Sequence, residues 1–465
     1  MTRAKTAGWA GAAVLGLLAV VAGYRALDRD VPAAAATPPA TTPATAPAAA
    51  KTHPAAATDQ GFLYGRIVTA DGTVYEGRLR FGIDQEAFWG DYFNGYKPEN
   101  PWRAHLPPER LKERYAIEVL GIEIARRERQ VHLGRPFMAR FGELARIEAR
   151  GRDVRVTLKS GTAFDLDRMG ASDLDDGLRV WDGKRGAVDL TAMIETELLA
   201  PIDGDRRIRT IELLPTPPLG AAPYRLQGTV RTRQGDFTGF VAWHRHGAIG
   251  PDELDGRIAA AEGKGEDELS LRFDTIRSIA RRSRDSSLVT LLDGREIVLS
   301  GTPEVGAGNR GIFVDDRRYG RVQIFWDTFE RADFGPGGSG PAYGDFPPGR
   351  PLTGSVATRA GRRLAGRLVY DLDETETTDT LDAEDRGVHY TIPFGLIASI
   401  APVGRVTLHG GEELQLERTG DLGEGNLGLL VFVAGRKRPD YVPWTDVERV
   451  DFDRPPAMYP PLGGR

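Results

Sequence analysis

None of the 465 residues is cysteine, so the chain can form no disulfide, carries no thiolate nucleophile or zinc–thiolate site, and offers no cysteine for lipid attachment. Its stability must come from packing alone. An excess of charge of one sign is also missing: 61 Lys and Arg against 66 Asp and Glu leave a formal net charge of -5. Such a balance sets up no field that would draw nucleic-acid phosphates, which makes nucleic acid an unsuitable partner. No Walker loop, HExxH pair or G-x-S-x-G elbow occurs, so P-loop, zinc-protease and serine-hydrolase chemistry lack a basis in the sequence.

Long apolar runs are also scarce, and the prominent one is at the N-terminus. Arg3 and Lys5 precede an uncharged stretch from Ala7 to Tyr24 that is rich in Ala, Leu, Val and Gly. This is the pattern of an export signal, and its length leaves both a cleaved signal and an uncleaved anchor open. An anchor is the favoured reading, and positive charge on the N-terminal side would hold that end in the cytoplasm and send the rest of the chain across, although Arg25 on the far side works against it. Residues Val31 to Ala57 are rich in Ala, Pro and Thr, a composition that cannot bury enough apolar surface to fold and that predicts a disordered spacer.

The remainder repeats itself. Gly65, Gly72 and Gly77 recur as Gly228, Gly235 and Gly239 and as Gly354, Gly361 and Gly366, among alternating apolar positions that run out to Phe81, Trp243 and Tyr370. This predicts three β-hairpins with a glycine at each turn. Each is followed by an aromatic and two aliphatics three apart (Phe141, Leu144, Ile147; Phe273, Ile276, Ile279; Phe394, Ile397, Ile400), which suits a short helical turn entering a strand. A second half opens with Val156, Val289 or Val406 before Gly161, Gly294 or Gly410, and predicts another hairpin. Trp326, Phe329 and Phe334, and then Trp444, Val447 and Phe452, close the later halves in the same manner; in the first copy Ile208 and Ile211 do so after an extra stretch, 191–205, expected to be helical.

A strand pair, further strands, a short turn and a closing strand within a few dozen residues resemble SH3-like and Sm-like barrels in outline, and exported bacterial proteins that carry such repeats without an assigned function. The resemblance implies a fold and carries no activity. The expected layout is a signal peptide or anchor at 1–30, a disordered linker at 31–60, and three β repeats at 61–215 (with an insertion at 97–133), 224–334 and 352–453. A Gly/Pro linker at 335–351 separates the last two. The expected fold is mainly β, each repeat made of two small SH3/Sm-like barrel halves.

Candidate chemistry lies in an acidic loop after each first hairpin: Asp91 and Asn94, Asp252 and Asp255, Asp379 and Asp382. Hard oxygen ligands of this kind would suit calcium, but the spacing of a dedicated calcium loop is missing, and Asp and Asn also brace turns by bonding their own backbone. Threefold recurrence argues against a single asymmetric catalytic constellation. Trp89, Tyr92 and Phe93 beside these polar groups form the best candidate contact surface, with a satellite core as the competing explanation. His244 and His246 would share one face of a strand and could offer two metal ligands, with no third in sight. Two G-x-G-x-x-G strings, Gly306 to Gly311 and Gly423 to Gly428, precede strands rather than helices, so they read as connecting loops and predict no bound nucleotide.

These features predict a non-catalytic binding or scaffolding protein of the bacterial envelope, periplasmic, anchored to the inner membrane or secreted. Its partners are expected to be envelope proteins or glycans, with the membrane touched through the N-terminal segment only and no cofactor. A carboxylate-based hydrolase of envelope polysaccharide and a calcium-dependent adhesion or structural module are the alternatives.

Overall fold

The computed structural model describes residues 60–456 apart from 83, 120–121, 131–132, 152, 168–171, 176, 191–206, 220–223, 260–264 and 336–339. The signal or anchor, nearly all of the linker and the stretch 191–205 lie outside the described residues. Among the described residues no helix is long and apolar enough to cross a membrane.

Alternating sequence produces strands throughout. In Ser286–Leu291, for example, Ser287, Val289 and Leu291 point inward and their neighbours outward, the period of two that a half-buried strand requires. The first segment runs through β1 (Tyr64–Thr69), β2 (Val74–Phe81), β3 (Tyr92–Lys97), β4 (Lys112–Val119), β5 (Ile122–Gln130), β6 (Arg135–Arg140), β7 (Leu144–Arg150), β8 (Asp153–Leu158), β9 (Ala163–Asp167), β10 (Leu178–Asp182), β11 (Gly186–Leu190) and β12 (Ile208–Leu213). The second comprises β13 (Gln227–Thr232), β14 (Gly235–Ala242), β15 (Glu253–Ala259), β16 (Glu266–Arg272), β17 (Ile276–Arg281), β18 (Ser286–Leu291), β19 (Glu296–Ser300), β20 (Ile312–Asp316), β21 (Gly320–Ile324) and β22 (Phe329–Phe334). The third comprises β23 (Thr353–Thr358), β24 (Arg363–Val369), β25 (Thr380–Asp385), β26 (Val388–Pro393), β27 (Ile397–Ala401), β28 (Arg405–Leu408), β29 (Glu413–Gln415), β30 (Leu429–Phe432), β31 (Asp440–Val442) and β32 (Val447–Phe452).

The pairing is antiparallel and follows one order. The first sheet reads β11-β10-β2-β1-β12-β7-β8-β9, and the third reads β31-β30-β24-β23-β32-β27-β28-β29. The second contains β21-β20-β14-β13-β22-β17-β18-β19 in the same sense, extended by β15 and β16 at one end and by β26 and β25 of the third segment at the other. The expected turns are present as short 3₁₀ turns at Phe141–Glu143, Phe273–Thr275 and Phe394–Leu396, each leading into the next strand.

The expected barrels do not close. Among the described residues the end strands of each sheet do not pair with one another, and the two halves of a segment are not separate bodies. The last strand of the second half, β12, lies between β1 and β7 of the first half, while β10 pairs with β2. Halves that share one sheet in this way cannot also curl into two barrels. The described strands belong to one compact unit. A single apolar core runs through the second and third segments, and that of the first takes in Phe240 from β14 and Phe346 from the joint 335–351.

The recurring glycines have two different physical roles. Gly72, Gly235 and Gly361 adopt φ of 84°, 140° and 76° at the hairpin turns, where a threonine hydroxyl (Thr69, Thr232 or Thr358) also bonds a turn carbonyl. The other pairs face each other across two strands: Gly65 with Gly77, Gly228 with Gly239, Gly354 with Gly366. A β-carbon on Gly77, Gly239 or Gly366 would lie 1.9, 2.0 or 2.2 Å from the carbonyl oxygen of Trp181, Asp315 or Phe432 in the neighbouring strand. Gly77→Ala or Gly239→Ala is therefore expected to lower stability by about 1–3 kcal/mol in denaturant unfolding of the full chain. Gly183→Ala, where nothing lies within 4 Å of the added carbon, should be close to neutral.

Candidate binding site

The three acidic loops are built alike. At or just past the end of strand two of each segment an aromatic bridges back to the residue four positions later: Phe81 to Gln85, Trp243 to Gly247, Tyr370 to Glu374. One aspartate then braces the loop. Asp91 Oδ2 accepts backbone N–H bonds from Glu86 at 3.0 Å and Ala87 at 2.8 Å. Asp252 accepts from Ala248 at 2.8 Å and Ile249 at 3.0 Å, and Asp379 from Thr375 at 2.6 Å and Glu376 at 2.9 Å. A carboxylate that takes two backbone donors forms charge-assisted bonds and satisfies groups that a buried loop would otherwise leave unpaired.

A second carboxylate, from the loop preceding β10, β20 or β30, fixes the start of the third strand. Asp173 Oδ2 accepts from the Asn94 backbone at 2.6 Å and from its Nδ2 at 3.0 Å. Glu304 accepts the Asp255 N–H at 3.0 Å, and Asp421 the Asp382 N–H at 2.7 Å. Trp243 Nε1 and Tyr370 Oη donate to the carbonyls of Glu304 and Asp421, both at 2.9 Å, and Asn309 and Asn426 reach those same carbonyls. The two G-x-G-x-x-G strings are thus loops closed by an asparagine, as their setting before strands predicts. Sequence reasoning identified the first set of aspartates and missed the second as their partners. The signal available was the matching place of Asp173, Glu304 and Asp421 after each second-half hairpin.

The aromatic segment is interior. Trp89, Tyr92 and Phe93 are 2 %, 2 % and 0 % exposed, so they offer no contact surface. Trp89 packs on Phe346, Phe88 on Tyr343, and the guanidinium of Arg140 lies 4.6 Å from the Trp89 ring. Arg321, reaching in from β21, stands 4.6 Å over Tyr92 and within 4.0 Å of Asp91. His244 sits at a turn with φ of 53° rather than on a strand, and its Nδ1 accepts the Arg310 N–H at 3.0 Å. Burial, with Arg310 beside it, holds the His244 pKa down to about 4. Among the described residues no group of three or more His, Asp or Glu converges to hold a metal ion.

What the structure does bring together is a cavity of about 220 Å³ where the first segment's loop meets the second segment's loop. Asp84 enters from the first; His246, Asp252, Glu253 and Glu304 come from the second, with Trp243 and Phe273 as buried walls. Burial raises the pKa of Asp252 and Glu304, and burial together with the nearby Asp91 raises that of Asp84 to about 7. The third segment has a related cluster: burial raises Asp379 to about 6 and pushes up Asp371, Glu374 and Asp421 as well.

No family model matches the chain, and no curated protein is similar to it.

Carboxyls whose folded-state pKa lies above the unfolded value take up protons on folding, so stability is gained as pH falls through the folded pKa. With Asp84 and Glu143 at about 7 and Asp379 at about 6, the melting temperature is expected to rise as pH is lowered from about 8 to about 5. Asp84→Asn should flatten that rise; a melting temperature that instead falls across this window contradicts the burial described. Because Trp89 is enclosed, Trp89→Ala should cost about 3–5 kcal/mol in unfolding, where a surface residue would cost almost nothing.

Proposed function

We propose that this chain is a non-catalytic binding or scaffolding protein of the bacterial envelope, made of three copies of one ten-strand unit and held outside the cytoplasm by its N-terminal segment. The observation that carries the reading is that the acidic residues available for chemistry recur in matching places and are used to brace loops: Asp91, Asp252 and Asp379 within the loop, Asp173, Glu304 and Asp421 onto the third strand. A hydrolase needs one asymmetric pair of carboxyls facing each other across a cleft. Repeated braces instead suit a rigid body that presents fixed surfaces. The apolar run Ala7 to Tyr24 after Arg3 and Lys5, followed by the Ala/Pro/Thr spacer, supports placement beyond the membrane.

Two measurements test this. Alkaline phosphatase fused after residue 60 should be active only if the spacer has crossed the membrane; an inactive fusion overturns the location. A photoreactive residue at exposed Glu253 should form defined adducts with envelope components in intact cells, and the purified chain should leave envelope polysaccharide unshortened. Shortening of the polysaccharide moves the hydrolase to the front, and a melting temperature lowered by a chelator moves the calcium module there.

A further inference from the structure

The first segment carries an addition to the repeated unit. Between the third and fourth strands of the unit the second and third segments have only residues 260–265 and 386–387, whereas the first has 98–134. The base of this insertion is held against the third segment: Asn100 Nδ2 donates to the Leu372 carbonyl at 2.9 Å, and Leu106 and Leu133 pack with Val369, Leu372 and Leu430. Beyond that base, β4 and β5 form a two-stranded antiparallel sheet, and among the described residues neither pairs with any other strand. At about 3.3 Å per residue, β4 runs about 25 Å. A lone two-stranded hairpin is marginal in water. Two segments complete their sheets without it, so the fold of the unit does not call for it.

The register of the hairpin sets Glu118 opposite Glu123, just past a bulge between Ile117 and Glu118. Like charges directly opposite each other destabilise a strand pair. Charges on an edge strand ordinarily keep other chains away, but those of β4 are ordered so that a second β4 fits them. We infer that two copies of the chain associate through this hairpin, β4 pairing antiparallel with β4 of the other copy about a two-fold axis at Ala116, to make one four-stranded sheet β5-β4-β4-β5. That register sets Arg114 opposite Glu118 of the other copy and Tyr115 opposite its Ile117, each twice, with Ala116 opposite Ala116. Glu118 thereby stands opposite a cation as well as Glu123. Moving the axis to Tyr115 keeps one kind of charge pair, Lys112 with Glu118, but sets Glu113 against Ile117 and Arg114 against Ala116. Turning β5 on itself about its middle residue sets Arg126 against Arg126. A contact repeated on both sides of a two-fold axis is the self-complementary kind that closes a dimer. How copies assemble is independent of what the assembled chain binds.

Because the chain has no cysteine, Ala116→Cys in the full chain introduces its sole thiol. Residues directly opposite in an antiparallel pair lie about 4.5–5.5 Å apart at Cα, within reach of a disulfide. Mild oxidation is expected to give a covalent dimer from Ala116→Cys and none from Lys184→Cys, at an exposed turn of the same segment. Sedimentation equilibrium of the full chain in detergent is expected to show a reversible dimer. Arg114→Glu or Glu118→Arg sets like charges against each other at both ends of the pairing and should weaken the dimer at least about tenfold. The two changes together restore opposite signs and should restore the dimer, which separates lost pairing from a lost hairpin. The inference is overturned if the unaltered chain stays monomeric, if Ala116→Cys crosslinks no faster than Lys184→Cys, or if the double reversal is as dissociated as the single ones. A dimer indifferent to both single reversals overturns it too, because the contact then lies elsewhere.

Discussion

The bond between an aspartate side chain and two backbone N–H groups of its own loop is the contact on which the rest of this architecture depends. Each loop after the second strand must turn back into a third strand, inside a body that has no disulfide to hold it. Asp91, Asp252 and Asp379 close that turn, and Asp173, Glu304 and Asp421 pin the strand that follows. Because these carboxylates are largely enclosed, the bonds form at low effective dielectric, where they are strong and where losing one leaves two donors unsatisfied. The same burial concentrates negative charge where segments meet. Arg321 and Lys97 answer that charge from neighbouring segments, and around Asp84, Glu304 and Asp252 it is answered by Arg310 and Arg80.

Local structure was legible in the sequence wherever it depends on near neighbours. The hairpin glycines and the aromatic that opens each 3₁₀ turn act within a few residues, and the structure has them where the pattern places them. What the pattern concealed depends on distant chain. A closed barrel is the economical reading of each half taken alone. The sheets stay open because β12, β22 and β32 each enter between strands laid down much earlier, and no local signal specifies that insertion.

The candidate site shows the same division. Asp91, Asp252 and Asp379 were visible because they recur, and so was their capacity to brace. The burial of Trp89, Tyr92 and Phe93 was one of two readings, beside a contact surface, because it depends on Phe346, Arg140 and Arg321, which lie tens to hundreds of residues away. Phe346 itself belongs to a Gly/Pro-rich joint that reads as a spacer, yet its ring sits 2.5 Å from where a β-carbon on Gly142 would be. The glycine pairs facing each other across two strands are a similar case: their recurrence was plain, but the backbone oxygen that excludes a side chain comes from β10, β20 or β30.

The central claim, that these acids hold loops rather than perform chemistry, is tested most directly by hydrogen exchange on the full chain carrying Asp252→Ala. The amides of Ala248 and Ile249, which now donate to Asp252, should lose their protection, and stability should fall by about 1–3 kcal/mol, as expected when buried donors are left unpaired. Unchanged protection at those two amides, with unchanged stability, would contradict the account and return Asp252 to the pool of residues free to act on a ligand.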